Sequence, residues 1–231
     1  MSKPSLQNID VRNRSSSITK EEINSIVSEF GTPLYVIDEQ IILNNLSTLE
    51  NSFNNYNGKT SIAYSLKSNF NPSIIEILNK ESILFDLTSL GELYFFKQCR
   101  GNIDNVLYTS VTEEESEYYS ALQSGISKFV IGSYHGLINL ISASKTSQKF
   151  PKVLVRINPE IDVNADISAS TDMGKFGVPI NNSSNDDAFY IINKIFDTDL
   201  LEFHGIHFHL GSQINDPSCF IKTLDLLSSL I

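Results

Sequence analysis

The chemistry of this sequence can be arranged around Lys67. That lysine lies near the end of Ser61-Ile62-Ala63-Tyr64-Ser65-Leu66-Lys67-Ser68-Asn69, which reads as a short buried strand. Strand side chains alternate, so Ala63, Ser65 and Lys67 share one face while Ile62, Tyr64 and Leu66 share the other. Two narrow residues followed by a cation suit the inside of a closed parallel barrel, with one functional side chain presented at the C-terminal rim. A lysine partly desolvated there has its neutral amine favoured and can form an imine with an aldehyde. The plainer alternative is a solvated structural lysine, because lysine is generally kept near water.

A second concentration lies in Phe203-His204-Gly205-Ile206-His207-Phe208-His209-Leu210-Gly211-Ser212-Gln213, which holds three of the four histidines. Alternation puts Gly205, His207 and His209 on one face, and His204, Ile206, Phe208 and Leu210 on the other. If the first set lines the barrel, His209 comes to the same rim as Lys67. A flat neutral imidazole there can stack on an aromatic cofactor, and the Gly211 N–H and Ser212 hydroxyl can serve a phosphate. Buried histidines satisfied by neighbours are the bland alternative. A metal is the third, but no further histidine follows His209 and no acidic strand end supplies another ligand, so no metal site is expected.

Asp86 and Glu92 lie at the end of another apolar run, and Arg156 interrupts Val153-Leu154-Val155-Arg156-Ile157. Asp86 can support the lysine or a cofactor, and Arg156 can pair with Asp86 or with a cofactor oxygen. Ser89 with Glu92 three residues later reads equally well as a helix capping box.

The elements that must position these residues repeat a simple unit of apolar strand, polar rim and amphipathic helix. Such repetition signals a parallel sheet with crossover helices. Strands are expected at Ile83–Leu87, Asn105–Thr109, Lys128–Ile131, Lys152–Ile157 and Glu202–Leu210, which with the Lys67 strand makes six units. Asn71-Pro72 starts one helix, Thr112 with Glu115 another as a capping box, and Asp216-Pro217 the last. Ahead of these, Thr19 with Glu22 caps a helix, Thr32–Ile37 is extended, and Asp38 caps a second helix striped by Ile42, Leu46, Leu49 and Phe53. The irregular segment from Asn158 to Pro179 holds Asp162, Asp166, Asp172 and Lys175, and reads either as a functional loop or as a solvated acidic excursion. Eight strands close a barrel of this type, so the architecture expected is a (β/α)8 TIM-type barrel that is here incomplete.

Composition narrows the partners. With 27 acidic against 17 basic residues the formal net charge is -10, which argues against nucleic acid and against an anionic membrane surface. Two cysteines far apart, Cys99 and Cys219, form no metal or redox motif, and a reducing cytoplasmic setting is expected. Residues 1–17 lack an apolar core and read as a loose tail.

Several motifs taken together resemble one family. They are Gly31-Thr32-Pro33-Leu34-Tyr35-Val36-Ile37-Asp38, Tyr64-Ser65-Leu66-Lys67-Ser68-Asn69, Asp86 through Glu92, Gly174-Lys175-Phe176-Gly177 and the run from Gly205 to Gln213. Their order and spacing resemble the diaminopimelate/ornithine decarboxylases, pyridoxal phosphate-dependent enzymes with an alanine racemase-like barrel and a β-domain. The resemblance implies that Lys67 is joined to the cofactor aldehyde, that His209 stacks on its ring, and that Gly211 and Ser212 hold its phosphate. It also implies that Asp86 and Arg156 line the pocket, and that Lys175 lies near a dimer interface.

The family's glycine-rich loop, Glu-Pro-Gly-Arg stretch, catalytic cysteine and late tyrosine have no counterpart in these 231 residues. The expectation is therefore the N-terminal portion of a cytoplasmic, homodimeric decarboxylase of a small amino acid, foremost meso-diaminopimelate. Within it, 18–38 would pair with a C-terminal β-domain and 39–231 would form the partial barrel. A non-catalytic homologue that binds a partner chain, and a metal-dependent barrel hydrolase, are the alternatives.

Overall fold

Strand and helix alternate through most of the chain as the apolar runs and caps predict. The computed structural model describes residues 18–161, 165–168, 176–180, 187–214 and 216–228, with the backbone alone over 165–168. The expected tail 1–17, Asp162, Asp172, Lys175 and the side chain of Asp166 lie outside the described residues. Two compact units divide after Ile62, so the helix that follows Asp38 groups with residues 18–38.

The first unit carries α1 (Lys20–Phe30) and α2 (Glu39–Ser52). Thr19 and Glu22 cap α1 reciprocally: Glu22 N donates to Thr19 Oγ1 at 3.2 Å, and Thr19 N donates to Glu22 Oε2 at 2.7 Å. Asp38 Oδ1 accepts from Gln40 N at 2.9 Å and starts α2. The extended segment expected at Thr32–Ile37 carries no strand.

The second unit holds β1 (Ala63–Ser65), β2 (Leu84–Leu87), β3 (Val106–Thr109), β4 (Lys128–Ile131), β5 (Lys152–Asn158), β7 (Val178–Pro179) and β8 (Glu202–Phe208) in one parallel sheet, among the described residues. Between them run α3 (Pro72–Asn79), α4 (Leu90–Gln98), α5 (Glu115–Gln123), α6 (Tyr134–Ser147) and α7 (Ala188–Phe196). Sheet order is β1-β2-β3-β4-β5, with β8 on the other side of β5. Ile157 pairs with both Val178 and Phe208, so β7 must take the β4 edge of β5 beyond the end of β4. β6 (Ala165–Ser168) and β9 (Gly211–Ile214) form a separate antiparallel ribbon, and α8 (Ser218–Leu227) follows.

Register assigns the two faces of the sheet. Ser65 pairs with Asp86 and Asp86 with Leu107, while Val130 pairs with Leu154 and Arg156 with His207. These residues share the face away from the helices. The opposite face carries Phe85, Leu87, Tyr108, Phe129, Val153 and Val155, all at or near zero exposure beneath the helices.

Four local expectations need correction. The Lys67 strand ends at Ser65, and Leu66–Ser68 is a single 3-10 turn. Ser68 Oγ donates to Ser65 O at 2.8 Å and Tyr64 OH donates to Asn69 O at 2.9 Å; side-chain bonds of this kind compete with a sheet ladder and turn the chain. Thr112 and Glu115 do not cap α5, whose first residue is Glu115 itself; the Thr112 hydroxyl is held by Glu117 instead. Ser89 does cap α4, yet Glu92 reaches back to Thr88 N at 2.7 Å, one residue further than a capping box. At α8 the helix begins after Pro217, and Asp216 Oδ1 accepts from Ser218 N at 2.9 Å from just outside it.

Candidate active site

The C-terminal ends of the parallel strands gather most of the residues singled out by chemistry. Asp86, third residue of β2, is bound from both sides. Ser65 Oγ on β1 donates to its Oδ2 at 3.1 Å, and Thr109 Oγ1 on β3 donates to its Oδ1 at 2.6 Å. Two flanking hydroxyls hold the carboxylate in place across three adjacent strands.

Arg156 lies on β5, and its guanidinium sits 4.9 Å above the Phe176 ring. Such stacking suits the planar, weakly hydrated guanidinium. Burial lowers its pKa, opposed by the negative charges of Asp86 and Glu113. The direct Asp86–Arg156 ion pair that the sequence allowed is not among the salt bridges of the described residues, although the Asp86 charge still acts on Arg156.

His207, opposite Arg156 on β8, is pushed down to about 4 by burial first and then by Arg156. It is therefore a neutral ring at physiological pH, and its Nδ1 is buried without a hydrogen-bond partner among the described residues. His209 follows β8 and is half-buried; burial first and Lys67 second lower its pKa, which favours the neutral ring. That effect places the Lys67 ammonium within electrostatic reach of His209, although one residue follows β1 and the other β8.

A bulge sets this register. Val153 pairs with Phe203, but Leu154 pairs with Gly205, so His204 is the extra residue. Gly205 has φ of +140°, a conformation open to glycine. Beyond the bulge Gly205 and His207 fall on the Arg156 face, as alternation alone predicted.

Lys67 itself is exposed on its 3-10 turn, rather than partly desolvated at a strand end. Gly211 and Ser212 lie in β9, past the C-terminal end of β8, with the Ser212 side chain exposed. Of the predicted site residues, Asp86 and Arg156 share one face of the sheet, Lys67 and His209 follow the C-terminal ends of β1 and β8, and Gly211 and Ser212 lie two and three residues beyond His209. Lys175 lies outside the described residues. Among the described residues no cluster of His, Cys, Asp and Glu could hold a metal ion.

Three contributors, Ser65, Thr109 and Glu113, carry no chemical signal in the sequence. Ser65 reads as a narrow lumen residue, though alternation places it beside Lys67, and Thr109 reads only as the end of a strand. Glu113, in the run Glu113-Glu114-Glu115, carries no sequence signal, yet its carboxylate accepts from Gly132 N and Ser133 Oγ at the start of α6. Gly177 is required by space: a Cβ there would stand 2.9 Å from Asn158 N and from Ile157 C.

The donor set fits pyridoxal phosphate. An accessible amine follows β1, a half-buried imidazole follows β8 with a hydroxyl beside a glycine shortly beyond it in the chain, and the buried Nδ1 of His207 on β8 has no hydrogen-bond partner among the described residues.

The family model described as "Pyridoxal-dependent decarboxylase, pyridoxal binding domain" matches residues 40–231. The chain is 30% identical over 210 residues to the diaminopimelate decarboxylase of Aquifex aeolicus, covering 90% of this chain and 48% of that protein. It is likewise 30% identical to the diaminopimelate decarboxylase of Methanothermobacter thermautotrophicus, covering 89% and 46%. The crystal structure of M. jannaschii diaminopimelate decarboxylase in co-complex with L-lysine superposes with a TM-score of 0.76 at 26% identity, over 89% of this chain and 49% of that one. The Helicobacter pylori enzyme complexed with L-lysine gives 0.80 at 24% identity, over 90% and 52%, a likeness of fold. This chain spans about half the length of these relatives.

Proposed function

Given that the chain belongs to the pyridoxal-dependent decarboxylases through their pyridoxal binding domain, we propose that it supplies the cofactor half of an amino-acid decarboxylase. The observation that carries this reading is that Lys67 follows the C-terminal end of β1 and His209 the C-terminal end of β8 in one parallel sheet. The substrate we assign is meso-diaminopimelate, decarboxylated to lysine. Support comes from the names of the curated relatives and from the L-lysine held in the M. jannaschii structure. The whole enzyme is read as a cytoplasmic homodimer, in keeping with two free buried thiols at Cys99 and Cys219.

When bound, pyridoxal phosphate supplies an electron sink for the pair left on carbon as carbon dioxide departs. The chain's own residues then have separable tasks. Lys67 would hold the cofactor through its Nζ amine, the group suited to an aldehyde. Exposure leaves that amine accessible. His209 offers a neutral imidazole, which costs no charge desolvation when an aromatic ring covers it. Ser212 and the Gly211 backbone would donate to the phosphate. Asp86, fixed by Ser65 and Thr109, and Arg156, stacked on Phe176, frame the pocket with opposite charges.

Borohydride reduction of the folded chain with pyridoxal phosphate, followed by peptide mapping, is expected to label Lys67. A folded chain that carries the label on other lysines, or on none, overturns the proposal.

A further inference from the structure

Glu113 is a rim residue to which neither the fold nor the cofactor reading has given a task. Its carboxylate accepts from Gly132 N and Ser133 Oγ, its N–H donates to Ser110 Oγ at 2.9 Å, and its carbonyl accepts from Asn139 Nδ2 at 2.8 Å. One residue thereby ties the β3–α5 loop to the start of α6. It is also costly. Burial raises its pKa in spite of the bonds from Ser133 and Gly132, and its backbone sits at φ +54°, a left-handed conformation that disfavours side chains. Two unfavourable features kept at a single residue point to function rather than to stability.

The neighbour that gives those costs a purpose is Arg156. Both side chains line a cavity of about 100 Å3 with Thr109, Ser110, Phe176 and Gly177, space for about three water molecules. Arg156 has no salt bridge to an acidic side chain among the described residues. Asp86 and Glu113, in that order, are the two negative groups that oppose its desolvation, and of the two it is Glu113 that lines this cavity with Arg156. The Phe176 ring, 4.9 Å from the guanidinium carbon, offers no hydrogen-bond acceptor in the guanidinium plane. A carboxylate held by Gly132 and Ser133 on the same cavity acts on the guanidinium through charge and through water-bridged hydrogen bonds.

We propose that Glu113 is a positioning residue that holds the Arg156 guanidinium at the cofactor rim from across this cavity. The proposal deepens the functional reading above and rests on it for the link between Arg156 and the cofactor. Glu113 touches neither cofactor nor substrate in this role.

The test uses the full chain, Glu113→Gln, and Glu117→Gln as a comparison, because Glu117 accepts from Tyr108, Ser110 and Thr112 at the same loop. Three readouts are needed: the Nε–Hε resonance of Arg156, identified by its loss in Arg156→Lys, the unfolding midpoint, and the affinity for pyridoxal phosphate by absorbance. Glu113→Gln is expected to move the Arg156 resonance toward that of a free arginine. It should weaken pyridoxal phosphate binding about five- to tenfold, and leave the midpoint unchanged or raise it, since the buried charge is gone while the amide oxygen still accepts. Glu117→Gln should lower the midpoint and leave the resonance in place.

A folded Glu113→Gln chain with an unmoved Arg156 resonance overturns the proposal, as does equal movement in Glu117→Gln. If Glu113→Gln does not fold, Ser133→Ala, which removes one donor to the carboxylate, must move the resonance in the same direction, and its failure to do so is equally decisive. Absence of pyridoxal phosphate binding by the unmodified chain would reject the functional reading, while the Arg156 resonance would still decide the role of Glu113.

Discussion

The two faces of the parallel sheet are built from opposite materials. Under the helices, Phe85 packs on Phe96 with ring centroids 4.8 Å apart, and Phe129 packs on both Tyr108 and Tyr118 at 5.7 Å. On the other face the same strands present Ser65, Asp86, Thr109, Arg156 and His207, held by hydroxyl bonds, stacking and charge. A single backbone serves both because neighbouring residues point in opposite directions. Stability is therefore concentrated on one side and chemistry on the other, and a substitution can address either one separately.

Phe129→Ala gives the largest test of this division. Phe129 has no exposed surface and holds two tyrosine rings, so its truncation should lower stability by about 3–5 kcal/mol, read by denaturant unfolding. A much smaller loss would mean that the helix face is not where the fold is held.

His207 is the residue of the polar face whose cost should be visible in stability. Its folded pKa lies near 4, below the ordinary 6.5, because of burial and then Arg156. The folded chain thus binds fewer protons than the unfolded chain between these values. The contribution is fully present above about pH 6.5 and is lost as pH falls toward 4, by about 2–3 kcal/mol. Unfolding midpoints measured across that window should show the slope, and His207→Asn should flatten it; an unaltered slope would assign the acid sensitivity elsewhere.

The smallest effect is expected at the far end of the sheet, where β5 and β8 begin. Lys152 Nζ lies 3.5 Å from Glu202 Oε1, with both side chains well exposed. Lys152→Ala should change stability by less than about 0.5 kcal/mol and leave Lys67 labelling intact. A loss of labelling would show that the two ends of the strands are coupled, against the division drawn between them.

Much of this was legible in the sequence because strands buried on one face write themselves as apolar runs. The runs at Ile83–Leu87, Asn105–Thr109, Lys128–Ile131 and Lys152–Ile157 each match the observed strand to within one residue at either end. Thr19 and Asp38 cap the predicted helices, because a short side-chain acceptor next to its own backbone needs no tertiary partner. The same locality made Ser68 and Tyr64 easy to overlook: their backbone bonds end the Lys67 strand early, and nothing in an apolar alternation announces them.

What the sequence determined by itself was the parallel strand-helix order, the sharing of one face by Gly205 and His207, and the presence of a lysine and a histidine suited to one cofactor. What only the tertiary structure decided was which partner each polar group takes. Asp86 is held by hydroxyls from strands 21 and 23 residues away along the chain, Arg156 stacks on Phe176, and Glu113 turns through a left-handed conformation to reach Gly132 and Ser133. Periodicity is a property of each segment alone and can be read there. Partnership between charged and polar groups depends on which segments the folded sheet brings side by side, and at this rim several candidates of similar chemistry competed for each place.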